Sequence, residues 1–328
     1  MKRKKMKPFK KFILSLFLII VLVAGGVFTY TFYQLSKMET TSISKSDEDL
    51  GIKTKSPEEE KTVSKVTNIA LFGVDRRDAS EPARSDSIMV LSIDEKSKKI
   101  KMSSIMRDTY VKVNGHGETK INHAYAYGGP ELSIRTLNEN FSMDIRNYVT
   151  VDFFNLEKII DAIGGVTVDV QKNEVGLINK YMSETAGIQN KSVSKISGSG
   201  SQKLNGMQAV AYTRIRYTAG DDFVRTERQR TVLSAMFTEI QSLGATKFPS
   251  VVSELLPLTE TSMSSIEVIK LGSKVFTSNI RTLDQARFPI DGFWDGKTIN
   301  GVWYLVAKME ATVDQLHKYI YEDIKPGK

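Results

Sequence analysis

Residues 68–110 have the sequence NIALFGVDRRDASEPARSDSIMVLSIDEKSKKIKMSSIMRDTY. Three short β-branched or apolar runs lie within it, at Ile69 to Val74, Ile88 to Ile93 and Ile100 to Ile105, and charged loops separate them. Apolar runs of this length, bounded by polar segments, are typical of buried strands. The stretch therefore predicts three buried strands at the start of the folded part of the chain.

The pattern downstream alternates between strands and helices. A strand is predicted at 110–113, ending at the tight-turn signal Asn114-Gly115. Helical spacing follows at 130–141, and the order strand, helix, strand at 148–151, 155–163 and 166–170 favours a parallel crossover unit. Helices at 205–212 and 225–243, and late strands near Phe288 and Val302, complete the pattern. Because no repeat or second linker interrupts it, we predict one α/β domain over residues 67–328.

The first 66 residues have a different composition. Residues 1–11 hold seven Lys or Arg and predict a cytoplasmic basic tail, and the apolar run 12–30 is near the ~20 residues of a membrane-spanning helix. The basic flank orients this helix with its N-terminus inside the cell, as a single-pass type II protein of the cell membrane with an extracellular domain. A cleaved signal peptide is the alternative. The Ser, Thr, Lys and Glu-rich segment 31–66 predicts a solvated extracellular linker.

Charge and cysteine content exclude several classes of protein. Seven of the 46 Lys and Arg residues lie in the basic tail, which leaves 39 basic against 38 acidic residues and no dense basic face for nucleic acid. The chain has no Cys, so disulfides and thiolate metal sites are excluded. His116, His123 and His317 stand alone, without the close partners of a zinc site. We therefore predict no nucleic-acid partner.

Arg and Asp recur at the ends of the three predicted strands. The first strand is followed by Asp75 and Arg77, Arg84 and Asp86 precede the second, and Arg107 and Asp108 follow the third. Residues beyond the ends of strands line the crevice where ligands bind in α/β sheets. Strand ends are also simply exposed, and exposed residues are commonly charged. The residues alone leave both interpretations open.

A second cluster of Arg lies between residues 212 and 230. It consists of Arg214, Arg216, Arg225, Arg228 and Arg230, with Gln229 among them. Arg binds phosphate with a planar fork, and a helix N-terminus would reinforce an anion site. The cluster indicates a diphosphate site. The alternative is a solvated network of ion pairs with Asp221, Asp222 and Glu227.

The order of motifs resembles that of the LytR-CpsA-Psr proteins of Gram-positive bacteria. The matching segments run from about residue 68 to 243: Leu71-Phe-Gly-Val-Asp75-Arg-Arg77, Arg84-Ser-Asp86, Ser104-Ile-Met-Arg107-Asp108-Thr-Tyr110, Lys120-Ile-Asn122, Ala124-Tyr-Ala-Tyr-Gly-Gly129, Gly164-Gly-Val-Thr-Val168, Leu204-Asn-Gly206, and Arg214-x-Arg216 with Arg225-x-x-Arg228-Gln229. The resemblance implies an extracellular α/β/α domain with a central mixed sheet flanked by helices, behind one membrane helix.

The resemblance also implies an activity. Such proteins transfer a glycopolymer phosphate, wall teichoic acid or similar, from an undecaprenyl-pyrophosphate carrier to peptidoglycan. It assigns Mg²⁺ or Mn²⁺ to Asp75 and Asp86, and catalytic roles to Arg107, Asp75, Arg216 and Arg225. The resemblance assigns contacts with the pyrophosphate to Arg84, Arg107, Lys120, Arg214, Arg216, Arg225, Arg228 and Gln229.

Several assignments stay open at this stage. Asp75 and Asp108 are both candidates for the group that takes the acceptor proton. The apolar helices of the Asn155 and Thr231 segments are candidate walls for the polyprenyl tail, or ordinary core. The alternative functions are a non-catalytic binder of polyprenyl-pyrophosphate lipids in the cell envelope, and a nucleic-acid-binding regulator, which the near-neutral charge opposes.

Overall fold

The structure is a computed structural model, and it describes residues 39–57, 65–76, 83–189, 191–216 and 221–327. Within these ranges the central element is a mixed seven-stranded sheet with the strand order β1-β10-β7-β2-β3-β4-β11. Its strands are β1 Glu39–Thr40, β2 Val66–Val74, β3 Ser85–Asp94, β4 Lys99–Ile105, β7 Asn147–Asp152, β10 Glu260–Thr261 and β11 Thr282–Phe288. The three strands predicted from the opening stretch are adjacent and antiparallel in its centre.

Three two-stranded sheets and seven helices surround it in the described ranges. The small sheets pair β5 Tyr110–Val113 with β6 Gly117–Lys120, β8 Val166–Val170 with β9 Gly200–Leu204, and β12 Trp294–Ile299 with β13 Val302–Ala307. The helices are α1 His123–Phe141, α2 Phe153–Ala162, α3 Val175–Gln189, α4 Gly206–Thr213, α5 Asp221–Leu255, α6 Ser265–Thr277 and α7 Met309–Tyr321, with a 3₁₀ turn at Leu256–Leu258. The predicted hairpin at Asn114-Gly115 and the late strands are confirmed.

Strand alternation divides the central sheet into two faces. Phe72 and Val90 belong to the main core, together with residues of α1 and α7 such as Ile134 and Leu316. The adjacent residues Leu71 and Met89 point to the opposite face of the sheet, because successive side chains of a strand alternate. On that face they lie against α2 and α5. The fold therefore belongs to the predicted class, a mixed α/β domain with a central mixed sheet flanked by helices.

The predicted parallel crossover unit is wrong. β7 is parallel to β2 in the central sheet, whereas β8 pairs antiparallel with β9 in a separate two-stranded sheet. Gly164 and Gly165, both with φ near +89°, turn the chain away after α2. A Cβ at Gly165 would lie 2.7 Å from the carbonyl oxygen of Leu204, so only glycine allows β9 to approach β8 this closely.

The predicted linker 31–66 is wrong for the part that the structure describes. β1 pairs parallel with β10, Ile43 is buried, and Leu50 is fully buried in the main core. Asn138 of α1 donates a hydrogen bond of 2.9 Å to the carbonyl oxygen of Leu50. Two isolated apolar residues in a polar stretch anchor this segment, and such anchors have no periodicity that a sequence pattern could detect.

The predicted tail and membrane helix, residues 1–11 and 12–30, lie outside the described residues. None of the helices in the described part of the chain combines the length and the apolar character needed to cross a bilayer.

Candidate active site

The ends of three central strands bring Asp75, Asp86 and Arg107 to one edge of the sheet. β2 ends at Val74, directly before Asp75, and β4 ends at Ile105, two residues before Arg107. β3 pairs Met89 with Ser104, and the same register continued past the strand end places Arg107 opposite Asp86. The charged clusters that the sequence places at separate strand ends therefore form one site.

Asp86 occupies a β-bulge. Gly73 pairs with Ser87 and Val74 pairs with Ser85, so Asp86 is the extra residue in the ladder between β2 and β3. A bulge redirects a side chain away from the regular alternation and is common beside active sites. Here it turns the Asp86 carboxylate toward the arginines.

Arg107 lies among three carboxylates. Its guanidinium donates a short hydrogen bond to Asp86, and its Nη2 and Nε lie 3.2 Å and 3.6 Å from Asp222 and Asp108. Burial alone would lower the pKa of Arg107, but the charges of Asp222, Asp86 and Asp108 outweigh that effect and raise the pKa. Arg107 therefore stays cationic while its side chain is only 20% exposed.

Arg225 lies in the second turn of α5 and is almost fully buried, with 2% of its surface exposed. Its Nη2 lies 2.6 Å from Asp222 and 3.4 Å from the carbonyl oxygen of Asp86. Burial lowers its pKa to about 10, and the neighbouring cations Arg107 and Arg216 act in the same direction against Asp222 and Asp86. The Nε atoms of Arg225 and Arg107 are both buried and have no hydrogen-bond partner among the described residues.

Arg214 and Arg216 follow the end of α4. Arg214 donates a 2.8 Å hydrogen bond to Thr185 of α3, and its guanidinium lies 5.7 Å and 5.6 Å from the ring centroids of Phe153 and Tyr181. Arg216 is half exposed, and its Nη2 lies 3.7 Å from Asp86. Ile215 between them is fully buried and fixes the turn.

A polar cavity that opens to solvent lies among the charged side chains at this edge of the sheet. Its walls come from six elements and their ends, and are formed by Asp75, Asp86, Phe153, Tyr181, Thr213, Arg214, Arg216, Arg225 and Gln229. The predicted ion-pair network is present in part, because Asp86 and Asp222 pair with Arg216 and Arg225. The same arginines line a polar cavity, which suits the predicted anion site.

An apolar cavity adjoins the polar one and shares Phe153, Thr213 and Gln229 with it. It lies between the sheet and helices α2 and α5, and its walls include Leu71, Met89, Val149, Val151, Leu156, Ile159, Val232, Leu233 and Met236. The helices that the sequence offered as walls for a hydrocarbon chain do line this cavity. A polar chamber that opens into an apolar one suits an amphiphile with an anionic head.

Arg228 does not join its predicted neighbours. Its guanidinium is buried and lies 2.7 Å from Glu174, and it donates a 3.1 Å hydrogen bond to the carbonyl oxygen of Ile215. Arg225 and Gln229 face the polar cavity, whereas Arg228 points toward the N-terminal end of α3. This placement argues against the predicted pyrophosphate contact of Arg228 and gives it a structural role instead.

Arg107, Lys120 and Arg84 are also absent from the lining of the polar cavity, although Arg107 is linked to it through its hydrogen bond to Asp86. Lys120 forms a 2.6 Å ion pair with Asp108. Arg84 is exposed, and after burial its charge is the main cause that lowers the pKa of His123. Arg77 lies outside the described residues. None of the three His lines either cavity.

Sequence reasoning missed the residues that hold the arginines. Tyr181 and Thr185 position Arg214, and Glu174 neutralises Arg228. They lie on or beside α3, whose sequence carries no motif. The sequence around these residues offered no signal that predicts their contacts with the arginines.

The two predicted metal ligands are compatible with a divalent cation. Asp75 and Asp86 line the same cavity, next to arginines that suit phosphate. Among the described residues no group of three or more acidic, His or Cys side chains comes together. Two carboxylates form a partial shell for Mg²⁺, which prefers six oxygens and readily takes the others from water and substrate phosphate.

The chain is similar in sequence and in fold to proteins of one family. The family model of the LytR_cpsA_psr family matches residues 28–319. The chain is 31% identical over 311 residues to the polyisoprenyl-teichoic acid–peptidoglycan teichoic acid transferase TagU of Oceanobacillus iheyensis, covering 90% of this chain and 88% of that protein. It is 31% identical over 236 residues to the regulatory protein MsrR of Staphylococcus aureus, covering 71% of this chain and 67% of that protein.

A solved structure of TagT bound to LIIa-WTA has the same fold. It superposes with a TM-score of 0.64 at 25% identity, over 84% of this chain and 94% of that one. The family model spans most of the sequence, including the strand ends and both arginine segments that build the two cavities. The chain therefore belongs to the LytR-CpsA-Psr family.

Proposed function

We propose that this protein is a phosphotransferase that moves a glycopolymer phosphate, wall teichoic acid or similar, from a polyprenyl-pyrophosphate carrier to peptidoglycan. The observation that carries the proposal is the pair of adjoining cavities, one lined by Arg214, Arg216 and Arg225 and the other by apolar side chains. A polyprenyl pyrophosphate has the same division into a dianionic head and a hydrocarbon tail. Relatives named as teichoic acid transferases, and TagT holding LIIa-WTA, support the assignment.

The reaction is an in-line displacement at phosphorus. An acceptor hydroxyl oxygen forms a bond to the phosphorus that carries the glycopolymer, and the bond from that phosphorus to the bridging oxygen breaks. Polyprenyl phosphate leaves with the bridging oxygen, and the acceptor proton passes to a base. Because negative charge grows on the leaving phosphate, positioned cations lower the barrier without a protein nucleophile.

Each charged residue of the cavity has a part in this scheme. Arg214, Arg216, Arg225 and Gln229 contact the pyrophosphate, since all four line the polar cavity. Arg107 stands behind Asp86 and adds its charge as the bridging bond breaks. Asp108 is held by Lys120 and Arg107 and does not line the cavity, so Asp75 is the better candidate for the proton acceptor.

Mg²⁺ or Mn²⁺ held by Asp75 and Asp86 would neutralise phosphate charge when the carrier is bound. We expect Asp75→Ala or Asp86→Ala to abolish turnover that depends on the metal, and to weaken Mn²⁺ binding measured calorimetrically in the presence of a polyprenyl pyrophosphate. Asp169→Ala, at an exposed position of β8, is the matched control and should behave as wild type. Undiminished turnover of the wild type in chelator, or wild-type turnover of either variant in Mg²⁺, would disprove the metal role.

The apolar cavity predicts a second effect. Leu233→Trp should fill it and lower the affinity for long polyprenyl pyrophosphates about tenfold, since two methylenes kept in water cost roughly 1.6 kcal/mol. Binding of inorganic pyrophosphate should not change. Thr238→Trp, at an exposed position of the same helix, is the control. If both tryptophan variants bound the long lipid like wild type, the tail would lie elsewhere.

We further propose that residues 12–30 anchor the protein in the cell membrane with the domain outside, where both carrier and acceptor are present. The positive flank and the length of the apolar run support this topology. A nucleic-acid-binding role finds no support in a near-neutral domain.

The decisive test of the function is turnover by the purified full-length chain. Lipid-linked glycopolymer, peptidoglycan oligomers and Mg²⁺ are incubated with the protein, and polyprenyl phosphate and glycopolymer-bearing peptidoglycan are measured. We expect both products in equal amounts. Tight lipid binding without either product would favour the non-catalytic lipid binder.

A further inference from the structure

The hairpin of β12 and β13 carries aromatic side chains that neither cavity uses. Trp303 is 44% exposed. Its indole lies against Gly296 of the facing strand, where a Cβ would come within 2.9 Å of Nε1 and 3.3 Å of Cε2. The glycine therefore makes the space in which this ring rests on the hairpin.

Tyr304, the next residue of β13, points to the opposite face of the hairpin from Trp303, because successive side chains of a strand alternate. Its ring meets that of Tyr110 edge to face, with centroids 4.8 Å apart. The ammonium of Lys120 lies 5.9 Å from the ring centroids of both Trp303 and Tyr304. We call the Trp303 ring and the neighbouring Lys120 ammonium the aromatic platform. Aromatic ring faces are electron-rich and attract the C–H-lined faces of sugar rings, and a neighbouring ammonium can donate to sugar hydroxyls.

The platform is fixed to the catalytic edge. The backbone N–H of Leu305 donates a 3.0 Å hydrogen bond to the carbonyl oxygen of Asp108, next to Arg107. On the other strand of the hairpin, Trp294 packs on Phe223 with centroids 4.9 Å apart, next to Asp222. The hairpin is thus attached to both segments that hold the Arg107 cluster, and the platform cannot move independently of them.

The platform lies on the side of the site away from the lipid cavity. It packs on β5, whose Val111 and Val113 belong to the core beneath α1, whereas the apolar cavity lies on the opposite face of the central sheet. In an in-line displacement the attacking hydroxyl approaches opposite the leaving group. Polyprenyl phosphate leaves toward the apolar cavity, so the acceptor comes from the side of the platform.

We propose that the aromatic platform binds a sugar ring of the acceptor glycan strand and so positions the strand for attack on the phosphorus. This inference rests on the proposed function, because it names the place where the acceptor of that reaction binds. In-line geometry favours the acceptor over the sugars of the donor, which are attached to the phosphorus itself.

The test uses the full-length protein in detergent and measures KM for soluble, uncrosslinked peptidoglycan strands and for the lipid-linked donor separately. Trp303→Ala should raise the acceptor KM about tenfold and leave the donor KM and the rate of donor hydrolysis by water unchanged. Trp303→Phe, which keeps a ring, should restore most of the affinity. Val302→Ala, at an equally exposed neighbouring position, is the control and should match wild type.

Direct binding separates failure of this inference from failure of the proposed function. The same strands, without donor, are titrated into the wild type and the variants in a calorimeter, because Trp303→Ala would remove one of the two tryptophans on which a fluorescence signal depends. A binding heat that is lost in Trp303→Ala and kept in Trp303→Phe supports the platform even if wild type forms no product. An unchanged acceptor KM and unchanged glycan affinity in that variant would overturn the inference, and so would a rise in the donor KM alone, which would assign the platform to the donor glycopolymer.

Discussion

Replacing Arg107 by alanine should lower kcat about 10² to 10³-fold while the Kd for polyprenyl pyrophosphate changes little. In the proposed function the polyprenyl tail binds in the apolar cavity, where each buried methylene contributes about 0.8 kcal/mol, so ground-state affinity does not depend on one cation. The proposed role of Arg107, which is linked to the polar cavity through Asp86, is to strengthen its interaction as charge grows on the leaving phosphate. Single-turnover rates, together with lipid binding by calorimetry, measure the two quantities separately.

The conservative variant sharpens this prediction. Arg107 reaches Asp86, Asp222 and Asp108 with different nitrogens, and the single ammonium of Arg107→Lys cannot keep all three contacts. This variant should also be strongly impaired, although its charge is unchanged. Arg281→Ala is the control for general effects of arginine removal, because Arg281 is exposed and lies between α6 and β11, outside the lining of both cavities. A loss of lipid affinity in proportion to the loss of turnover would mean uniform binding and would refute a catalytic role for Arg107.

Removing either partner of the buried pair between Arg228 and Glu174 should destabilise the protein by about 3–5 kcal/mol, because the remaining charge is left buried and unpaired. Both side chains are about 5% exposed, so water cannot replace the missing partner. Chemical denaturation of Arg228→Ala and Glu174→Ala measures this loss.

A double variant separates stability from function. Arg228→Met combined with Glu174→Leu removes both charges and should recover much of the lost free energy of unfolding. If Arg228 is structural, as its position outside the polar cavity indicates, the double variant should retain near wild-type turnover. A folded double variant with turnover reduced as far as in Arg107→Ala would return Arg228 to the pyrophosphate-binding set. The pair of Lys318 and Asp314 on α7, with side chains 45% and 56% exposed, is the control, since exposed pairs contribute at most about 1 kcal/mol.

The sequence by itself determined the local elements and the chemistry. Runs such as Ile69 to Val74 have the length and composition of buried strands, and Asn114-Gly115 closes a tight turn because of its own backbone preferences. The ordered motifs identified the family, and with it the residue types at the site. These features depend on neighbours in the chain, which a sequence displays directly.

Only the tertiary structure decided which residues meet. The sequence predicted Arg225 and Arg228 on one helical face. In the structure Arg225 borders the polar cavity, whereas Arg228 forms a buried ion pair with Glu174, 54 positions earlier in the chain. The tertiary structure likewise pairs β8 with β9 rather than with β7. It also joins Leu50 of the predicted linker to α1 by a hydrogen bond. Contacts between distant segments depend on how whole elements pack, and packing selects one partner among many that local patterns allow equally.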